Sequence, residues 1–583
     1  MATNVAYLEC TGELWLEVAE RLMRESDWQP VYWSGAERMK SDVQRRFQAT
    51  HFIDNANAVK GQFGTECDTD LFSALDETLL KELAFTESTA LHMMDRMDPD
   101  GSFNFHERVA LYHRHVKYSI FLIEKLKIEI AIFAAPPHLI YDYIFYEVCR
   151  IYKIPVVLFT ETAVDGLLFS STSIEEVPQI LEKPYQALLA QSATATLSAR
   201  GQQYWERLQG SYDRAIPDYI AELYRYELTG RKETPSEKSM GSPIDLVRKI
   251  TGRRKFWQIP DFFSKKPLMP EHSIELDIVN ALKKLQQMLS ETGRNNNHAL
   301  AAAIDCTRHL YRAIETEFPI HLKTNALPET FYLKQHTIAP EQSHISHLEY
   351  WIYRLLAAKK KQTLLNDYQL LTQPLDLSVP FIYVPLQYQP EVSTSPLGGS
   401  YVNQLLLVEL LAKSAPTGWS IFVREHPFTF DKKGSGELTR DFDFHRKISS
   451  LPNVRLVPLE VPAFDLIDAA KAVATVTGTS GWEAIIRGTP ALVFGQAWYK
   501  KCEGAFSAAD KCDCQNAIRA IEDGYRVNPE KVRKFMQALE QVGFRGYTIP
   551  DLSSSAAVSA TTNVDSFIAV LNRYRFDSRQ AVS

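Results

Sequence analysis

Cysteine is scarce in this chain, with seven residues among 583: Cys10, Cys67, Cys149, Cys306, Cys502, Cys512 and Cys514. An odd, scattered set argues against a disulfide framework and fits a reducing cytoplasm. Cys512-x-Cys514 with Cys502 lacks the paired spacing of a zinc site, so no metal is expected there. No apolar run approaches the ~18 residues that a membrane-spanning helix requires. The opening MATNVAYLEC enters a strand directly, without a signal-peptide pattern. Positive charge is not in excess: the net charge of −7 speaks against general nucleic-acid binding. There is neither a Walker A sequence nor a GxGxxG after a strand, so ATPase and dehydrogenase readings lose support.

What is present is the composition of a soluble globular protein, 45% hydrophobic and 23% charged. The length predicts two or three domains. Residues 1–175 alternate strand-like segments (Val5–Glu9, Pro30–Trp33, Ile128–Ala134, Pro155–Thr160) with helix-like ones. That alternation implies parallel βαβ units. Residues 176–375 read as a mainly helical insertion or linker. The alternation returns over 376–549, with strands at Phe381–Pro385, Trp419–Arg424, Val454–Pro458, Ala472–Val476 and Ala491–Phe494. Residues 550–583 read as a tail ending in a helix. The expected class is α/β: two Rossmann-like domains facing a cleft, with ligands at the carboxyl ends of the strands.

The densest signal is TVTGTSGWEAIIRGTPALVFGQAWY, from Thr475 to Tyr499. A buried strand runs into the small-residue turn Thr477–Gly481, then a short helix, then a second strand. A helix N-terminus after such a turn offers free N–H groups and a positive dipole end to a phosphate. Gly478, Thr479, Ser480 and Gly481 are therefore nucleotide-site candidates. Glu483, one turn on, could accept from a ribose hydroxyl or simply complement the helix dipole. Arg424-Glu425-His426-Pro427 closes another strand of the same half; Arg424 adds charge and His426 can donate to a phosphate oxygen. Gln387 and Glu391, in PLQYQPE after Phe381–Pro385, could line the cleft or belong to a flexible connection.

In the first half, FTETAVDG places Glu161 and Asp165 at a strand end, as candidates for a general base or a nucleophile. A turn and a helix cap are the bland alternatives. His138, after Pro136-Pro137, closes another strand and could face the same cleft. His106, His113 and His115 fit a solvated helix face, and His344 and His347 lack a third ligand. The basic and aromatic stretch 248–266 fits peripheral docking on an anionic membrane as well as it fits a solvated linker.

PLQYQPE, REHP and TGTSGWEAIIRGTPALVFGQAWY, in that order, resemble the C-terminal half of bacterial capsule polysaccharide biosynthesis proteins, which include transferases of Kdo and related ulosonic acids from CMP donors. The His-Pro element and the Ser/Thr turn are also similar to the nucleotide site of GT-B bacterial sialyltransferases. The resemblance covers roughly 380–500. It implies a GT-B fold, with the donor nucleotide in the C-terminal domain and the acceptor, a glycan or lipid-linked glycan, in the N-terminal one. It implies that His426, Thr479 and Ser480 hold the donor phosphate without metal or cofactor, with Pro427 beside them in the nucleotide-sugar site, and the expected place of work is the cytoplasm or the inner membrane surface. The sialyltransferase base lies in an acidic-Asp-Gly motif. Here Val164-Asp165-Gly166 lacks the first acid, which leaves Asp165 and Glu161 as alternatives and leaves inversion or retention open. A UDP-sugar or CDP-polyol transferase, a GT-B epimerase and a non-catalytic nucleotide- or glycan-binding scaffold are the competing expectations.

Overall fold

The computed structural model describes residues 2–63, 72–97, 105–162, 164, 166–212, 347–389, 391–431, 436–549 and 556–580. The stretch 248–266, His344, Cys67, Cys306, Asp165 and most of the expected helical insertion lie outside the described residues.

The first sheet has seven strands: β1 (Thr3–Leu8), β2 (Trp28–Gly35), β3 (His51–Asp54), β4 (Ile130–Phe133), β5 (Val156–Glu161), β6 (Leu167–Ser171) and β13 (Phe544–Arg545), in the order β13-β6-β5-β4-β1-β2-β3. β1 to β5 are parallel; β6 is antiparallel to both neighbours. Side chains alternate across the sheet with period two. Val5, Tyr7, Ile130 and Ile132 face the helices Glu13–Ser26 and Ala560–Gln580, while Ala6, Leu8, Ala131 and Phe133 face Phe105–Leu126 and Ile140–Ile151. Both faces are covered, and β4 (IAIF) is buried at every position, as a central parallel strand should be.

The second sheet has six strands: β7 (Phe381–Pro385), β8 (Ser420–Arg424), β9 (Val454–Leu456), β10 (Ala472–Thr475), β11 (Ala491–Val493) and β12 (Ala505–Ser507), all parallel, in the order β12-β11-β10-β7-β8-β9. Ile382, Val384, Ala472 and Ala474 point to one covered face, Phe381, Tyr383 and Val473 to the other. These are the two doubly wound sheets of the expected Rossmann-like, GT-B class. In each, the chain starts centrally and winds outwards in both directions, so the order reverses between β1 and β4 and between β7 and β10. Such a switch point opens a crevice at the strand carboxyl ends.

Packing does not respect the boundaries drawn at 176 and 550. Tyr185, Leu188, Tyr204, Trp205 and Leu208, from the helices Glu182–Leu189 and Ala199–Gln209, cover the second sheet, and the Trp482 indole donates to the Tyr204 hydroxyl at 3.1 Å. The helix Ala560–Gln580 is no loose tail. Phe567 sits 5.1 Å from Trp15 and 4.7 Å from Phe159, ring centre to ring centre, and Ser26 donates to Asn572 at 3.1 Å. The chain therefore crosses to the second sheet before the middle segment and returns to the first after β12.

Candidate functional site

The turn after β10 is shaped by close approach. Gly478 caps the helix Thr479–Ile486 with no side-chain hydrogen bond to the free N–H groups, while its own N–H donates to the Thr475 hydroxyl at 3.1 Å. A Cβ on Gly481 would lie 2.4 Å from the Tyr499 hydroxyl oxygen, so only glycine lets this helix seat on Tyr499. Tyr499 in turn donates to the Gly478 carbonyl. Gly488, at φ +93°, ends the helix in a conformation that glycine adopts freely. The helix N-terminus thus stays open, and no hydrogen bond of the Ser480 hydroxyl is found among the described residues.

Gln387, at the end of β7, bridges the switch point. Its side-chain oxygen accepts from Thr477 N–H at 2.9 Å, and its amide donates to the Thr477 hydroxyl at 3.3 Å. The Gln387 N–H donates to Gln404 at 2.7 Å, and Gln404 donates to Gln389 at 2.9 Å. Arg440, 1% exposed, completes this layer: it donates to Gln389 at 2.6 Å and to the two Glu425 oxygens at 2.8 and 3.2 Å. His445 lies 2.9 Å from Glu425 on the other side. Burial pushes the Glu425 carboxyl up, but Arg440 and His445 outweigh it and hold it well below the usual range. The strand-end loops of β7, β8 and β10 are therefore tied together by one buried network, in which His445 Nδ1 alone of these side chains' polar atoms is buried without a partner among the described residues.

His426 is set by that network. Its N–H donates to Glu425 at 2.8 Å, and its Nδ1 accepts from Phe428 N–H at 3.2 Å, with Pro427 opening the short turn Pro427–Thr429. Burial depresses its pKa to about 4, and Arg424 and Arg440 add to the effect against Glu425. A neutral ring that accepts at Nδ1 carries its proton on Nε2, a tautomer assigned from the hydrogen bonds. Nε2 has no hydrogen-bond partner among the described residues, which leaves it free to donate.

Arg424 turns away from such a role, since its guanidinium donates to the Leu459 carbonyl at 2.7 Å. Glu391 is exposed and accepts from Ser393 at 2.9 Å. Glu483 is half-buried beside Thr479 and Arg487; burial lifts its pKa to about 7 against both of them.

In the first sheet β6 folds straight back on β5, so Glu161, paired with Leu168, closes one arm of a hairpin. Glu161 accepts from the Thr548 hydroxyl at 2.9 Å, linking β5 to the segment that returns from the second sheet. Burial raises its pKa, opposed by Thr548. His138 lies in the loop after β4, at the β1/β4 switch point. The structure brings it to Glu9 and Asp142, two acids not singled out from the sequence. Glu9 directly follows β1 and Asp142 lies in the first helical turn after His138; strand-end position was the only sequence signal, and it held for Glu9 alone. Arg440 and His445 had none, since the pairing to Glu425 spans a loop. His115 is not solvated as expected: it is buried beside Val59, 1% exposed, and burial pushes its pKa down to about 3.

Two doubly wound sheets, with an open helix N-terminus at the switch point of the second, define an α/β protein with two Rossmann-like sheets. Residues 305–505 match the family model described as capsule polysaccharide biosynthesis protein, so the resemblance carried by the strand-end motifs is shown over roughly a third of the chain. No curated protein matches. Among solved structures, the chain is similar to the β-Kdo 2,7 transferase KpsC of Thermosulfurimonas dismutans (20% identity over 33% of this chain and 67% of that one, TM-score 0.18). It is also similar to the UDP-GlcNAc 2-epimerase of Methanocaldococcus jannaschii (10% identity, 93% and 99% covered, TM-score 0.21). A third is the calicheamicin glycosyltransferase CalG4 (11% identity, 98% and 99% covered, TM-score 0.20). Among the described residues no helix is long and apolar enough to cross a membrane.

Proposed function

We propose that the chain is a glycosyltransferase of bacterial surface polysaccharide assembly that takes its sugar from a nucleotide donor bound at the second sheet. The donor is a CMP-activated ulosonic acid of the Kdo, pseudaminic, legionaminic or sialic type, and the acceptor a glycan or lipid-linked glycan at the first sheet. The observation that carries this reading is the β7/β10 switch point. A buried, hydrogen-bonded scaffold there leaves three donors unspent: the helix N-terminus at Thr479, the Ser480 hydroxyl and His426 Nε2.

In this reading the departing phosphate gains charge as the glycosidic bond breaks, and these preorganised donors stabilise it without a metal ion at that site. A neutral His426 donates without needing to be charged. Acceptor activation falls to a carboxylate of the first domain, Glu161 or Asp165. The experiment has two stages. A thermal-shift series with CMP, CDP, UDP and GDP should single out CMP, because a ligand bound only by the native state raises its stability. Transfer from a CMP-ulosonic acid is then compared in wild type and His426→Ala; equal turnover would sink the phosphate role. Unchanged rates in both Glu161→Gln and Asp165→Asn would remove the acceptor-side assignment.

A further inference from the structure

At the switch point of the first sheet two acids and a histidine meet, and among the described residues two of the acids' buried oxygens lack a hydrogen bond. Glu9 directly follows β1 at φ +57°, Asp142 lies in the first turn of Ile140–Ile151, and His138 lies between β4 and that helix. One ligand-type atom from each lies within 4.8 Å of the other two. Asp142 is 1% exposed; its Oδ2 accepts from His138 N–H at 3.2 Å, but its Oδ1 has no hydrogen-bond partner. Glu9 Oε2 is likewise buried without a hydrogen bond, 3.7 Å from His138 Nδ1. That nitrogen donates to the Pro136 carbonyl at 2.9 Å, so the imidazole offers Nε2 to a ligand. Buried carboxylate oxygens that face each other without a donor are costly. Among the described residues neither acid forms an ion pair with a lysine or arginine.

We propose that Glu9, His138 and Asp142 bind a first-row divalent cation, Zn²⁺ or Mn²⁺. Two carboxylates and an imidazole form a mixed oxygen and nitrogen donor set, which suits these ions better than Ca²⁺ or Mg²⁺. Bonds of about 2.1 Å place neighbouring ligand atoms roughly 3 to 4.3 Å apart, so the three side chains draw together slightly on loading. Three protein ligands leave positions open on the ion, at the mouth of the crevice between β1 and β4. A hydroxyl or carboxylate of a bound molecule could complete the shell there.

The test uses the full chain, stripped with a chelator and then titrated calorimetrically with ZnCl₂, MnCl₂ and MgCl₂ while thermal unfolding is followed. The expected result is one Zn²⁺ or Mn²⁺ per chain, a melting temperature raised by a few degrees, and weaker Mg²⁺ binding. Glu9→Gln and Asp142→Asn should each weaken the ion at least tenfold. Glu9 has 23% side-chain exposure, so its amide variant keeps the fold even if the Asp142 variant does not. Absence of saturable binding by wild type, or equal affinity in wild type and Glu9→Gln, overturns the proposal; the acids would then share a proton instead. Nucleotide binding is read separately at the other sheet, so neither outcome touches the function proposed above.

Discussion

The two switch points are built from the same topology and treat charge in opposite ways. At β7/β10 the buried acid Glu425 is fully answered: Arg440 and His445 hold its oxygens, and the glutamines around them spend their amides on backbone and on one another. The surface that remains is made of donors. At β1/β4 the acids Glu9 and Asp142 keep bare oxygens, and the surface that remains is made of acceptors. A site rich in donors holds an anion; a site rich in acceptors holds a cation or a hydroxyl. The same topology thus offers opposite polarity at its two crevices.

The sharpest way to break this contrast is to remove the arginine. Arg440→Ala strands a fully buried carboxylate, which should cost about 3–5 kcal/mol of stability, read from denaturant unfolding. A loss under ~1 kcal/mol would mean that the network is not the scaffold described. Glu425 also sets a sign with pH. Its carboxyl is depressed in the native state, so its contribution is present at neutral pH and is lost as pH falls below the usual carboxylate range. Second comes His426→Ala. Removing one donor to a charged oxygen should weaken CMP by about 1.5–3 kcal/mol and leave the unliganded melting temperature nearly unchanged, whereas His138→Ala should leave CMP affinity untouched. Equal losses in the two variants would erase the distinction between the crevices. Third, in chelator, Asp142→Asn should be neutral or stabilising by up to ~1 kcal/mol, because its amide can donate to Glu9 where two carboxylates only repel. A cost like that of Arg440→Ala would show that the first crevice is balanced after all.

The residues gathered at the second crevice are legible in the sequence and those at the first are not, for a physical reason. Around β10 the chemistry is local: strand, turn, helix and strand follow within 25 residues, and Gly478, Ser480 and Gly488 carry their geometry in their side chains or the lack of them. His426 was legible because it follows a strand end, yet its support was not, since Arg440 and Gln404 reach Glu425 and Gln387 across loops. In the first sheet the acids come from just after β1 and from the helix after β4, which are 133 positions apart, 142 less 9. Only strand order brings them together. Glu161 ends β5 as one arm of a hairpin, because β6 is short, apolar and folds straight back. Where the helices Glu182–Leu189, Ala199–Gln209 and Ala560–Gln580 pack is illegible for the same reason: what they cover is decided by sheets remote in sequence.

The smallest expected effect lies within the second crevice and tests whether it is made of donors throughout. Glu483 is the exception, an acid one turn into the phosphate-facing helix. Burial lifts its pKa to about 7, so below that pH it is largely neutral and offers no repulsion. Because the native pKa lies above the unfolded one, the native state binds the extra proton between about 4.5 and 7, and stability falls across that window as pH rises. The phosphate meets the same titration. As pH climbs through 7 an ionised Glu483 offsets part of the helix dipole, and CMP should weaken roughly threefold, the ~0.3–1 kcal/mol scale of a charge at a helix terminus. The nucleotide's own phosphate ionises near pH 6 and acts on every variant alike, so the informative quantity is the difference between wild type and Glu483→Gln. That difference should open above pH 7 and close below 6. A constant ratio across the range would show that Glu483 is ionised throughout and faces away from the ligand, leaving its charge to Arg487.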